Sequence, residues 1–181
     1  MRLISDLGKE LFESMIEKLI EEIRSNRISG STLSALICAL ILPDICGKAE
    51  YPSEKVGTRY KKWYAEYVGK YEKSSANDCS NDGMPYASAD VIYDLRCHLI
   101  HQGEPNIDKE KQRITHFRAV NQNDLPKYTA FKTDSGETGL EINVFYFAET
   151  LCLVAEAYYK ENKERFNLID GQESDCYSFC F

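Results

Sequence analysis

Between Thr32 and Asp44 the chain is apolar on nearly every side: Leu33, Ala35, Leu36, Ile37, Ala39, Leu40, Ile41 and Leu42 leave no wet face on a helix. A helix of that kind is stable only when other elements surround it, so this stretch predicts a packed bundle with itself as the central buried element. Ser31 and Thr32 are suited to cap it, and Pro43 implies a kink or an early stop before about Cys46. The apolar run is about half the ~20 residues that cross a bilayer, and no membrane span is expected.

Amphipathic segments surround it. Leu7, Leu11, Phe12, Met15, Leu19, Ile20 and Ile23 recur at helical spacing, which predicts a helix over 7–27 that ends before Gly30. A third helix is expected over 54–71, with Val56, Tyr60, Trp63, Tyr64, Tyr67 and Val68 as its apolar and aromatic positions. Turn-forming residues at 74–86 read as a long loop. Ser88 caps a fourth helix over 89–102, and Gly103 stops it.

Alternating residues Ile114, Phe117 and Val120 suggest a strand. Segments 127–133 and 138–142 flank Asp134-Ser135-Gly136-Glu137 as a hairpin. Asn143 then caps a long helix to about Phe166. The fold class is therefore mainly α: an up-and-down bundle of about five helices with a small antiparallel β insert, about residues 112–142, before the last helix.

At 181 residues the chain fits one domain, 1–181, and is long enough to bury a core without disulfides or metal. Seven cysteines at irregular spacing, with no Cys-x-x-Cys, argue for reduced thiols in a reducing compartment. Together with an N-terminus that lacks the pattern of a signal peptide, they point to the cytoplasm. Cys176 and Cys180 lie in an aromatic tail, read as packing on the surface rather than as a redox or metal pair. The net charge of −7 excludes a generally basic protein, so contact with nucleic acid would need a local patch. One such patch is Lys55, Arg59, Lys61, Lys62 and Lys70, interleaved with tyrosines and Trp63. Arg59, Lys61 and Lys62 are its candidate RNA contacts. The competing reading is an amphipathic helix with aromatic core positions and a lysine-rich wet face.

The fourth helix carries the chemistry. At 100° per residue, Val91, Ile92, Leu95 and Leu99 form its apolar face, while Arg96 and His101 lie outside that face, about 140° apart. Tyr93, Cys97 and Ile100 lie between them on the outward side, as on a helix that meets a second surface. That separation makes one helix a poor means of joining Arg96 to His101, and two helices facing across a two-fold axis a better one.

Arg96-Cys97-His98-Leu99-Ile100-His101, an Arg-x4-His at the end of a helix in an all-α bundle, resembles the HEPN superfamily (higher eukaryotes and prokaryotes nucleotide-binding). The resemblance spans the helices, roughly 7–102 and 143–166. It implies a homodimer through the helix 89–102 and metal-independent cleavage of RNA, often within toxin–antitoxin or defence systems. His101 would then be the general acid/base and Arg96 the phosphate clamp, chemistry to which imidazole and guanidinium are suited. Tyr93, Asp94, Cys97 and His98 are candidate supporting residues, with Asp94 or Asp90 orienting an imidazole. Cys97 departs from the small polar residue that usually follows the arginine, and His98 is the neighbouring substitute. Other members of the superfamily only bind, so the second expectation is a non-catalytic interaction or RNA-binding module, an antitoxin or a partner-binding component. A helix-terminal histidine and a solvated arginine also arise for purely structural reasons. His98 and His101, three residues apart, lack a second ligand pair, and neither metal nor cofactor is expected.

Overall fold

The computed structural model describes residues 14–72, 87–103 and 114–166. The loop expected at 74–86, Cys176 and Cys180, and residues 7–13 of the helix expected over 7–27 lie outside them. Helix α1, Met15–Ile28, starts at Ser14 with a capping box: the Ser14 hydroxyl accepts from the Glu17 backbone N–H at 3.3 Å, and the Glu17 carboxylate accepts from the Ser14 N–H at 3.1 Å.

The apolar stretch does not form one helix. It divides into α2, Thr32–Ala39, and α3, Leu42–Glu50. Pro43 is the reason: it sits in the first turn of α3, where a missing N–H is costless, rather than inside a longer helix where it would break the ladder. Taken as a whole, Thr32–Glu50 is long and apolar enough to cross a membrane, yet 50% of that stretch is buried inside the fold, as in a core helix.

Helix α4, Val56–Trp63, continues through a π-helical turn, Tyr64–Val68, and a 3₁₀ turn, Gly69–Tyr71. Helix α5, Ala89–Gln102, has the expected ends. The Ser88 hydroxyl accepts from the Val91 N–H at 3.3 Å, and Gly103 closes the helix in the left-handed region at φ 70°.

The insert is a three-stranded sheet in the order β1-β3-β2, with β1 His116–Val120, β2 Tyr128–Lys132 and β3 Thr138–Asn143. The hairpin β2–β3 is antiparallel, with Tyr128 opposite Ile142 and Lys132 opposite Thr138. Strand β1 lies on the other edge, parallel to β3, with His116 opposite Gly139. The sheet is thus mixed, because residues 121–127 carry the chain from one edge to the other. Leu140 and Ile142 face the core, and Tyr128 meets Phe147 of the following helix at 6.3 Å between ring centroids.

That helix, α6, Val144–Glu161, is the hub of the fold. It packs against α1, α2, α3, the π-helical turn, β1 and β3. Its buried residues Val144, Phe147, Ala148, Leu151, Cys152, Ala155, Tyr158 and Tyr159 form one continuous face, about 140° wide at 100° per residue, while Tyr146 and Leu153 on the opposite side are exposed. The central place expected for the 31–46 segment therefore belongs to α6. Leu33 of α2 is 56% exposed, and that segment shares its burial between two short helices.

Helices α3 and α4 approach closely at Gly47. A Cβ built there would lie 2.8 Å from the Arg59 carbonyl oxygen, so the two backbones are nearly in contact. Gly47→Ala should cost about 1–3 kcal/mol, because the obstacle is main chain and cannot rotate away. A shift of the urea midpoint with an unchanged slope would show this. A change below about 0.5 kcal/mol would mean that α3 and α4 separate freely.

Candidate functional site

Asp44 lies in the first turn of α3, where the helix dipole favours a carboxylate. It is the single charged residue between Arg27 and Lys48. Its two oxygens hold two arginines from two other helices. Arg59 of α4 donates from Nη2 to Oδ1 at 3.2 Å, and Arg96 of α5 donates from Nη2 to Oδ2 at 3.0 Å. The side chains are 17%, 17% and 16% exposed for Arg59, Asp44 and Arg96, which places the trio at the rim of the core and within reach of solvent.

The other terminal nitrogen of Arg96, Nη1, lies 3.4 Å from Nε2 of His101. The long arginine side chain spans the wheel separation that seemed to keep these residues apart, so the geometric case for a two-fold partner loses that support. A guanidinium can only donate, so the contact uses His101 Nε2 as an acceptor, with the ring proton on Nδ1. His101 itself is exposed at the end of α5.

Around this group, Gly57 of α4 leaves room for Tyr93, whose hydroxyl would lie 2.9 Å from a Cβ at that position. Tyr93 packs on Tyr60 at 5.2 Å between ring centroids, and its hydroxyl lies beside the Cys97 thiol. Burial first, and then the neighbouring thiol, hold the Tyr93 phenol above its ordinary pKa. Burial pushes Tyr60 well up too, and its hydroxyl donates to the Leu40 carbonyl at 3.1 Å.

The basic aromatic stretch resolves differently. Tyr60, Trp63 and Tyr64 are wholly buried, so none offers a face for base stacking. Lys61 pairs with Asp90 at 2.8 Å and lies 5.1 Å from the centroid of the Tyr93 ring. Lys62 pairs with Glu54 and lies 5.2 Å from the Tyr51 ring centroid. Arg59 turns inward to Asp44. Asp90 is engaged with Lys61, and among the described residues the imidazole of His101 meets Arg96. Asp94 and His98 are half-buried on α5. No group of three or more His, Cys, Asp or Glu side chains suited to a metal ion occurs among the described residues.

Arg96 and His101 are thus brought together with Arg59, and Asp44 joins them; from the sequence Asp44 reads equally well as a residue supporting a cleft at the end of the buried helix and as a plain helix terminus. The signal that could have found it is its isolation: a lone carboxylate in an uncharged stretch needs a cation from elsewhere in the fold. No protein-family model, curated protein or solved structure matches the chain.

Arg96→Ala should destabilise the protein by about 1–3 kcal/mol in denaturant unfolding, since it leaves the half-buried Asp44 carboxylate with one of its two guanidiniums. A loss under about 0.5 kcal/mol would mean that water replaces Arg96 at no cost.

Proposed function

We propose that this protein is a cytoplasmic, metal-independent endoribonuclease of HEPN type, working as a homodimer through α5. The contact between Arg96 and His101 carries the reading: it unites a phosphate-binding cation with a group able to move a proton at neutral pH. In the reaction, neutral His101 takes the proton of a ribose 2′-OH, the 2′-oxygen attacks the adjacent phosphorus, and the 5′-oxygen leaves with a proton. A second His101 across a two-fold axis supplies that proton. Arg96 stabilises the charge that builds on the phosphoryl oxygens. Since Arg96 Nη1 occupies the lone pair that His101 needs, the substrate phosphate must first draw the guanidinium away. Ile100, 36% exposed on the outward side of α5, is the centre of the dimer surface, whereas Tyr93 is turned onto α4 within the protomer. Asp44 is a positioning residue that fixes the Arg96 head group.

One observation favours a second reading. Arg96 is already paired with Asp44, as an arginine with a structural task would be. On that reading the chain is a non-catalytic interaction or RNA-binding module, an antitoxin or another partner-binding component of a defence system.

Purified protein should cut a mixed RNA pool in excess chelator, and His101→Ala prepared identically should lose at least about a hundredfold in rate. Equal cutting by both, or by neither, would favour the binding module. Ile100→Glu should convert the dimer to monomer in sedimentation, because it places two like charges across the axis. An unchanged dimer would move the interface off α5.

A further inference from the structure

We propose that Arg59 and Arg96 together form a receptor for one phosphate-like oxyanion, in which the Asp44 carboxylate is an internal occupant that the incoming anion displaces. This builds on the phosphate role proposed for Arg96 and adds a second cation from a different helix.

Each guanidinium takes a separate oxygen of Asp44, at 3.2 and 3.0 Å, and so the two flank the carboxylate as they would flank a phosphate. Two arginines against one aspartate leave one unbalanced positive charge in a chain of net charge −7. Each arginine also spends only part of its donor set on Asp44: Arg59 Nε and Arg96 Nε are both buried without a hydrogen-bond partner among the described residues. Free phosphate offers more oxygens and more negative charge than a carboxylate, and a backbone phosphodiester offers two non-bridging oxygens and one charge, so the first outcompetes Asp44 and the second matches it.

The backbones that carry the pair are closely packed: α3 meets the Arg59 main chain at Gly47, and α4 meets Tyr93 of α5 at Gly57. At 16–17% exposure the trio is shielded enough for its charge to count, and part of each side chain still reaches solvent. Displaced from the pair, the Asp44 carboxylate has solvent at the same rim.

The shared chemistry is a phosphoryl group, either free or within an RNA backbone. Two titrations separate these sources: sodium phosphate followed by thermal unfolding, and a 2′-O-methyl RNA oligomer, which cannot be cleaved, followed by fluorescence anisotropy. Asp44→Asn removes the internal competitor and keeps its shape. It should bind at least one of the two probes about tenfold more tightly than wild type, the scale of one charge-assisted hydrogen bond. Its unfolding temperature should also recover on adding that probe. Tightening with phosphate alone assigns a free anion, and tightening with RNA assigns the phosphodiester.

Arg59→Gln should weaken the binding of wild type about tenfold, whereas Arg59→Lys should retain part of it. If Asp44→Asn binds both probes no better than wild type, Asp44 is a plain structural counterion and the receptor is overturned. Should Asp44→Asn fail to fold, Arg59→Gln decides: unaltered binding overturns the proposal, and weakened binding sustains it. Because the readout is binding, the nuclease reading fails separately. Wild type that cleaves RNA while Arg59→Gln binds both probes normally refutes the receptor alone.

Discussion

Burying the long apolar face of α6 is the constraint from which the other elements take their places. Phe147, Leu151, Ala155 and Tyr158 form one stripe of that face and Val144, Ala148, Cys152 and Tyr159 the adjacent one, and several elements share in covering its 18-residue length. Helices α1, α2 and α3 line one part of it, and the sheet closes the end near its start. Arg24 and Arg27 of α1 reach its Glu149 at 3.2 and 2.9 Å, tying the outer rows of the same contact. Helix α5 is one layer further out. It packs chiefly on α4, and α4 on α3, so its polar side meets the solvent-facing rim of those two helices.

That layering explains why the ionic cluster stands where it does. A charged residue within the uncharged stretch 28–47 has two options: water, or a fixed cation. Asp44 takes the second, at the junction where the first turn of α3, the middle of α4 and the last turns of α5 converge. Desolvating a carboxylate is costly, and two guanidiniums on separate oxygens offset it with directed hydrogen bonds. The arrangement also orients Arg96, leaving its second terminal nitrogen against His101.

Much of this was legible in the residues and some was not. Ser88, Gly103 and Asn143 state the ends of α5 and α6 through local chemistry, and their structural roles match. The hairpin around Ser135-Gly136 is equally local. What the residues hid was long-range. Apolarity around α2 and α3 signals burial but not how many pieces the stretch makes, and the place of Pro43 in a first turn becomes plain only once the break is seen. Nothing local says that β1 joins the hairpin on the β3 side, since parallel pairing depends on where the connection crosses. The 140° between Arg96 and His101 describes Cα directions, and an arginine has enough bonds to cancel it. Arg59 looked like a surface cation because its partner lies on another helix.

Asn143 joins structures usually considered apart. It is the last residue of β3 and the cap of α6, its side chain is wholly buried, and its amide nitrogen donates to the Gln122 and Leu125 carbonyls at 2.6 and 2.9 Å. Its oxygen accepts from the N–H groups of Gln122 and Phe145. One amide group thus welds the crossing segment, the central strand and the hub helix into a single cooperative unit. The insert is consequently no detachable decoration: the first turn of α6 and the crossing between β1 and β2 open and close together.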